Sequence, residues 1–355
     1  MVNEFKNSMA RASANLRLAL RKELFSGNLI VGDLLPSVRQ LSAQFQLAPK
    51  TVHRALQELE KEGLISSEPR KGFRVLSRSN DPRRGCPVAS VLDSPDWNNT
   101  SPLHLTLKLN IERILNEQSF SLLSVFCVNK TIDSIIEQIK IGRAWGVLLD
   151  TVNVPLLAKI EKMGIPAVMI DAWVEDAPFD VVLQDNYQGG YKAAKYLLKQ
   201  GYKKIAWVGP IGSSGISRER FGGASAALSG AGRYLTKEMC FECDHNNPDA
   251  EVLKILTAKN RPDAIIALWR EIAISIANTA KKLNLRVGTD FGMVGWSTLD
   301  KYEAYSKFFE ENNTPPTIVW DPAEMAQTAI NRLSERWRNP QMPILRLHVG
   351  TNIRI

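Results

Sequence analysis

Short, continuous apolar runs recur along residues 88–355. They are the strongest indication of the fold of this chain. They stand at residues 88–92, 146–149, 167–170, 205–208 and 264–267, with helical stretches between them. A strand that faces water on one side alternates apolar and polar residues, whereas a strand covered on both faces is apolar throughout. Covered strands separated by helices predict an α/β fold built on parallel sheets.

The first quarter of the chain follows a different pattern. Leu16, Leu20 and Leu24 are spaced as the apolar face of a helix over residues 11–25, which Gly27 ends. Ser37 begins a second helix, to about residue 45, because Gln40 completes a capping box. Residues 49–62 form a third helix that starts at a proline and stops at a glycine. Two short strands at 64–65 and 73–76 then enclose a turn.

The same two regions also differ in net charge. Residues 1–87 hold 15 Lys and Arg against 8 Asp and Glu, whereas the other 268 residues hold 30 against 29. A basic module on a nearly neutral body is typical of a nucleic-acid-binding protein, because Lys and Arg displace counterions from phosphate.

Residues 10–76 resemble the GntR family of winged-helix regulators. The matching segments are residues 32–41 (GDLLPSVRQL), 51–56 (TVHRAL) and 59–65 (LEKEGLI). The resemblance implies a winged helix-turn-helix domain over residues 1–76 that binds double-stranded DNA, with the third helix in the major groove and the hairpin on the backbone. The candidate DNA-binding residues are Arg39, Lys50, Thr51, His53, Arg54, Arg70 and Lys71.

The DNA-binding segment departs from common family patterns at the start of the third helix and in the hairpin. Ala48-Pro49 stands where Ser-Arg is frequent, and residues 70–73 read RKGF where Gly-x-Gly-Thr is usual. The operator sequence therefore cannot be carried over from relatives.

Beyond a polar linker at residues 77–87, the chain resembles the LacI-type sensor domain, a relative of periplasmic binding proteins. The matching segments are residues 185–190 (DNYQGG), 201–206 (GYKKIA), 220–223 (RFGG), 261–265 (RPDAI) and 294–296 (VGW). The resemblance implies two Rossmann-like lobes in residues 88–355, of the periplasmic-binding-protein type I fold, with a ligand between them. We place lobe one at about 88–202 and 320–340, and lobe two at about 203–319 and 341–355.

Six residues are candidates for binding the ligand. In relatives, the positions of Asp185 and Arg220 hydrogen-bond polar groups of the ligand, although Asp185 is also placed to cap a helix. Ser297 stands where an Asp is common, and indoles take several pocket positions, which suits sugars, planar bases or cations. The indoles belong to Trp173, Trp269, Trp296 and Trp320.

These features predict a ligand-controlled transcription regulator, specifically a repressor. The expected partners are a pseudo-palindromic operator, a small effector, most simply a carbohydrate, and a second copy of the chain. Two alternatives stay open: the second domain serves only dimerisation, or it binds a non-sugar ligand such as a nucleoside.

Other classes of protein find little support in the sequence. No phosphate-binding glycine loop, nucleophile elbow or histidine cluster is present, so we expect no enzyme and no cofactor. Cys240 and Cys243 have only His245 nearby, so we expect no metal site. The first residues lack a signal peptide or membrane span, which predicts a cytoplasmic protein without membrane contact.

Overall fold

The computed structural model of the chain divides into two compact units. It describes residues 13, 15–17, 19–20, 23, 32–61, 64–69, 71–75, 83, 86–212, 214–244, 246–309 and 313–355. The described residues up to 83 form the first unit, and residues 86–355 form the second. Most of the predicted linker, and Gly27, Glu62 and Gly63 at predicted helix ends, lie outside the described residues.

The first unit has the predicted helix-turn-helix and hairpin. Its elements are α1 (Val38–Phe45), α2 (Pro49–Lys61), β1 (Ile65–Glu68) and β2 (Gly72–Val75). The capping box is confirmed, because the Gln40 amide donates to Ser37 Oγ at 3.3 Å and the Ser37 amide donates to Gln40 Oε1 at 2.8 Å. Gln46, in the left-handed region at φ 51°, turns the chain from α1 toward α2.

A small apolar core holds this unit together. The described residues between 13 and 23 are helical, and Leu16 and Leu20 of that segment are buried. They join Leu41 of α1 and the apolar face of α2, while β1 pairs antiparallel with β2. Burial of one stripe on each helix leaves the other faces for water or a partner.

The second unit consists of two lobes, each built on a six-stranded sheet. All strands of the lobe-one sheet are parallel. The lobe-two sheet is parallel except for one antiparallel strand at its edge. The predicted α/β class with two Rossmann-like lobes is confirmed.

The elements of the second unit follow in chain order. The strands are β3 (Val88–Leu92), β4 (Leu122–Phe126), β5 (Gly146–Asp150), β6 (Ala167–Ile170), β7 (Asp180–Gln184), β8 (Ile205–Val208), β9 (Cys240–Phe241), β10 (Ala264–Ala267), β11 (Gly292–Thr298), β12 (Thr317–Trp320), β13 (Arg346–Val349) and β14 (Asn352–Arg354). The helices are α3 (Pro102–Glu117), α4 (Ile132–Ile141), α5 (Val154–Lys162), α6 (Asn186–Lys199), α7 (Gly215–Ser229), α8 (Asp249–Thr257), α9 (Arg270–Lys282), α10 (Tyr302–Ser306) and α11 (Pro322–Arg338). The strand order is β13-β7-β6-β5-β3-β4 in lobe one and β14-β12-β11-β10-β8-β9 in lobe two, where β14 is the antiparallel strand.

The chain crosses between the lobes three times, at Asp185, at Asp321 and at residues 350–351. This corrects the predicted lobe boundaries. Helix α6 packs on the lobe-two sheet, so lobe one ends at Asp185 and not at residue 202. Strand β13 pairs with β7 in lobe one, so only β14 of the last segment belongs to lobe two. Motif order locates the strands, but it does not say which sheet each segment joins.

Helices α6 and α7 approach each other through glycines that a side chain cannot replace. A Cβ on Gly223 would lie 1.9 Å from the Tyr187 carbonyl oxygen, and one on Gly190 would lie 2.0 Å from the Arg220 carbonyl oxygen. Both contacts are with backbone, which cannot rotate away. This approach fixes the place of Arg220 beside the start of α6.

We predict that Gly223→Ala destabilises the second unit, whereas Gly222→Ala does not. The methyl group at 223 forces two helices apart, which costs about 1 to 3 kcal/mol or more. A Cβ at Gly222 meets nothing within 4 Å, so alanine there gains up to about 1 kcal/mol of helix propensity. Urea unfolding measures both, and equal stability of the two variants would contradict the packing described.

Candidate functional site

An exposed basic surface lies on the helix-turn-helix. The side chains of Arg39 on α1 and of Lys50, His53 and Arg54 on α2 are exposed. No described carboxylate forms a salt bridge with Arg39, Lys50 or Arg54. Their charges are therefore available to a phosphate backbone.

Two other predicted DNA-binding positions differ from this group. Thr51 is only 4% exposed and packs inside the unit, which favours a core role over base contact. Lys71 is exposed on the β1–β2 turn, 3.9 Å from a carboxylate oxygen of Glu68. Arg70 lies outside the described residues.

A row of carboxylates lines the edge of the lobe-one sheet that faces the cleft. Asp150 ends β5, and Asp93 and Asp171 directly follow β3 and β6, which flank β5 in the sheet. The Asp93 amide donates to the Asp150 carbonyl at 3.2 Å, so these two residues lie side by side. Neighbouring strands are about 4.8 Å apart, and the carboxylates are therefore spaced to act on one ligand.

Sequence reasoning missed this row, although a signal was present. Each aspartate directly follows an apolar run, as Leu92, Leu149 and Ile170 precede them. The carboxyl ends of parallel strands meet at one edge of a sheet, which is where α/β proteins bind ligands. The sequence did not show that β3, β5 and β6 are neighbours.

Polar groups of lobe one hold the carboxylates in place. His104 Nε2 lies 2.9 Å from Asp150 Oδ2, and Thr151 Oγ1 donates to Asp93 Oδ2 at 2.8 Å. Burial alone would lower the pKa of His104, but the hydrogen bond to Asp150 and the charges of Asp150, Asp171 and Asp93 raise it. His104 is therefore a cation over a wider pH range than a free histidine.

Asp171 is the most enclosed member of the row. It is 8% exposed, adopts φ 50°, and its Oδ1 accepts a hydrogen bond from Gln184 Nε2 at 3.3 Å. Burial raises the pKa of Asp171 to about 6, and the charge of Asp150 adds to this, while Gln184 and Arg220 oppose it. No described group donates to the other oxygen of Asp171, Oδ2, which is left to water or to a ligand.

Arg220 of lobe two lies across the cleft from this row and is 1% exposed. Its Nε donates to Asn186 Oδ1 at 2.9 Å, and its Nη1 donates to the Leu268 carbonyl at 2.8 Å. The guanidinium carbon lies 3.8 Å from the ring centre of Trp296 and 4.5 Å from that of Trp269. Burial lowers the pKa of Arg220 to about 9, against the raising effect of Asp171 and Glu219.

The structure thus brings together three of the six predicted ligand residues, Arg220, Trp269 and Trp296. Trp296 also connects the lobes, because its Nε1 donates to Gln184 Oε1 at 2.9 Å. Buried cation–π contacts of this kind contribute about 2 kcal/mol each. They hold the guanidinium without a carboxylate in direct contact.

The other three predicted residues have evident structural roles. The Asp185 carboxylate caps α6, accepting from the Gln188 amide at 3.0 Å. Trp173 packs at the start of α7, where a Cβ on Gly215 would lie 2.3 Å from the indole, and the guanidinium of Arg346 lies 3.9 Å from its ring centre. Trp320 is 3% exposed at the end of β12. Ligand contact by these three residues stays a prediction.

The described residues offer neither a metal site nor a membrane span. No group of three or more His, Cys, Asp or Glu side chains there is arranged to hold a metal ion, and His245 lies outside them. No helix in that part of the chain is long and apolar enough to cross a membrane.

We predict that Asp171→Asn stabilises the protein at pH 7. The pKa of Asp171 is about 6 in the folded state, against 3.8 for an ordinary aspartate, so ionisation removes stability as pH rises between these values. Asparagine still accepts from Gln184 and tolerates positive φ, so the gain is about 2 to 3 kcal/mol at pH 7. The gain should nearly vanish at about pH 4, and urea unfolding at both pH values measures it. An equal effect at both would contradict the raised pKa.

Comparison with known proteins shows two family matches. The model of periplasmic binding proteins and the sugar-binding domain of the LacI family matches residues 96–333, and that of the bacterial regulatory proteins of the gntR family matches residues 12–75. The HTH-type transcriptional repressor PurR of Aliivibrio salmonicida is 29% identical over 195 residues, 54% of this chain and 56% of that protein. The ribose operon repressor of Haemophilus influenzae is 28% identical over 183 residues, 50% of this chain and 52% of that protein. The chain thus spans about half the length of the curated relatives it matches.

Solved structures share the fold. A complex of the transcriptional regulator CelR with cellobiose matches with a TM-score of 0.66 and 18% identity, over 87% of this chain and 91% of that one. A LacI family regulator from Enterococcus faecium with bound ribose matches with a TM-score of 0.62 and 21% identity, over 76% of this chain and 97% of that one.

Proposed function

Because this chain belongs to the family of periplasmic binding proteins and LacI-type sugar-binding domains, with a GntR-type domain before it, we propose that it is a transcription repressor controlled by a small molecule. The observation that carries the proposal is the pairing, in one chain, of an exposed cationic helix face with an enclosed polar cleft. The relatives of this chain are transcription regulators, and we assign the chain no catalytic step.

DNA binding is assigned to the exposed face of α2. A helix in the major groove presents its N-terminal residues to base edges, and here these include Lys50, His53 and Arg54. Arg39 on α1 reaches the phosphates beside the groove, and Lys71 on the hairpin turn reaches the neighbouring backbone. Burial of Thr51 anchors this helix to the core and keeps the basic face outward.

We predict that Lys50→Ala weakens DNA binding and lowers its salt dependence. Removal of one phosphate contact reduces the slope of log affinity against log salt by about one. Lys61→Ala is the matched control, because Lys61 is an exposed lysine at the other end of α2, 3.6 Å from Glu58. Fluorescence anisotropy with a duplex selected by the wild-type protein measures both. Equal slopes for Lys50→Ala and wild type would count against this DNA-binding face.

Effector binding is assigned to the cleft, with a carbohydrate as the ligand. Sugar hydroxyls donate to carboxylates, so Asp93, Asp150 and Asp171 supply the carboxylate acceptors that are missing at Ser297. The indoles of Trp269 and Trp296 line the other side around Arg220. The binding of ribose and cellobiose by structures of the same fold supports this ligand class.

The active form is a homodimer that pairs through lobe one. Leu105 and Leu109 lie one turn apart on α3 and are 36% and 64% exposed. Val128, Val152 and Val154, which follow β4 and β5, are 40% to 59% exposed. Helix α3 begins near the same sheet edge at which these strands end, and we assign the five side chains to one interface. Such a patch is typical of a subunit interface.

We predict that Leu109→Glu converts the dimer to monomer at micromolar concentration. A charge buried in an apolar interface is left without a partner, which costs several kcal/mol for each of two symmetric copies. Leu253→Glu is the control, because Leu253 is 46% exposed on α8 of lobe two. Sedimentation equilibrium distinguishes them, and a dimeric Leu109→Glu protein would refute this interface.

A further inference from the structure

The amino ends of four lobe-two strands carry a large excess of positive charge. Counted from the last turn of each helix, the connections that lead to these strands are residues 196–204 (α6 to β8), 226–239 (α7 to β9), 254–263 (α8 to β10) and 279–291 (α9 to β11). Together they hold eleven Lys and Arg against three Asp and Glu, whereas the rest of residues 88–355 hold 19 against 26. This edge of the sheet lies opposite the cleft, which faces the carboxyl ends of the strands.

The same edge of lobe one carries much less charge. Its helix-to-strand connections, counted in the same way, are residues 114–121, 138–145, 159–166 and 335–345. They hold six Lys and Arg against three Asp and Glu. The helix dipole favours cations at helix C-termini, but four helices end at this edge in both lobes. The dipole therefore does not account for a net charge of +8 in lobe two against +3 in lobe one.

A fifth lobe-two connection, residues 303–316 from α10 to β12, lies partly outside the described residues. Its sequence holds Lys307 against Glu303, Glu310 and Glu311. Including it lowers the net charge of the lobe-two connections to +6, which is still twice that of lobe one.

Contacts between the four connections make their basic residues one continuous surface. Arg233 Nη1 donates to the Lys203 carbonyl at 2.9 Å, and the Lys203 amide donates to Asp263 Oδ2 at 2.8 Å. Arg261 Nη2 donates to the Asp290 carbonyl at 3.3 Å. The strands β11-β10-β8-β9 are neighbours in this order, so the surface extends over about 14 Å. We call the surface of these four connections the basic edge.

The lysine side chains of the basic edge are unpaired, whereas two of its three carboxylates are engaged by backbone amides. Asp263 accepts from two amides, and Asp290 Oδ2 accepts from the Arg286 amide at 2.7 Å. No described carboxylate forms a salt bridge with five exposed lysines of this surface, which are Lys199, Lys203, Lys259, Lys281 and Lys282. Like charges gathered in one place repel each other, and a bound polyanion removes that repulsion.

We propose that the basic edge binds the phosphate backbone of a second DNA duplex without reading its sequence. This inference goes beyond the proposed function, in which only the first unit contacts DNA. Lysines contact phosphates as point charges and release counterions, whereas protein–protein interfaces are depleted in lysine. One DNA strand carries a charge every 3.4 Å along the helix axis, so the basic edge spans about four phosphates.

The test measures the second duplex on protein whose first DNA site is already occupied. A duplex selected by the wild-type protein is immobilised, full-length protein is captured on it, and a duplex of random sequence is injected at about 50 mM salt. We expect a further surface plasmon resonance response with a dissociation constant of about 1 to 100 µM, which weakens steeply as salt rises. The random duplex alone should give no response on the immobilised DNA.

Two double variants locate the second duplex. Lys281→Gln with Lys282→Gln removes two charges from the last turn of α9. The affinity for the random duplex should fall about 10- to 100-fold at 0.1 M salt, and the slope of log affinity against log salt should fall by about two. Lys140→Gln with Lys162→Gln is the matched control, because both are exposed lysines in the last turns of lobe-one helices. It should change neither value, and capture by the immobilised duplex should be unchanged in both variants.

Three results would overturn the proposal: no second response, equal losses in the two double variants, or a second response that Lys281→Gln with Lys282→Gln leaves unchanged. Poly-L-glutamate and vesicles of anionic phospholipid are injected in the same way, and binding of either one in place of the random duplex would assign the basic edge to another partner. A folded protein that no selected duplex captures contradicts the proposed function instead. The variants are then compared on immobilised random duplex, with the same expected losses.

Discussion

Arg220 is a buried cation that several separate parts of the second unit hold in place, and its Nη2 has no partner among the described residues. Asn186 at the start of α6, the carbonyl after β10 and the indoles of Trp269 and Trp296 surround it. Loss of any one partner leaves a desolvated charge, which costs several kcal/mol. Helices α6 and α7 approach each other closely at Gly190 and Gly223, next to Arg220. This approach brings Arg220 to these partners.

This arrangement determines what the cleft can recognise. Arg220 is engaged by its own lobe, and Trp296 extends the network to Gln184 of lobe one and from there to Asp171. The partly unsatisfied carboxylate therefore sits where the two lobes meet, and its burial raises its pKa at a cost in stability. Proteins commonly keep such destabilising groups where function needs them. Under the proposed function, a ligand that donates to Asp171 and also contacts lobe two would favour one arrangement of the lobes over others, which is what a switch requires.

Local and short-range features were predictable from the sequence, and relations between distant strands were not. Ser37 and Gln40 stand three residues apart and cap α1 as predicted, and the apolar runs become covered parallel strands. The carboxylate row was missed, because Asp93, Asp150 and Asp171 meet only through the strand order of the folded sheet. The crossover at Asp185 was misplaced, because the residue that leaves lobe one also caps the next helix. The burial of Thr51 depends on the rotation of α2, which a motif does not give.

A repressor controlled by a small molecule requires ligand binding in the cleft to be coupled to DNA binding at α2. Thermodynamic linkage requires the coupling to be reciprocal, with typical values of about 1 to 3 kcal/mol. The most direct measurement is the DNA affinity at zero and saturating concentration of the sugar that binds, together with the affinity for that sugar with and without DNA. We expect both affinities to change by the same factor, about 5- to 150-fold. DNA affinity that is identical with and without bound sugar would contradict it.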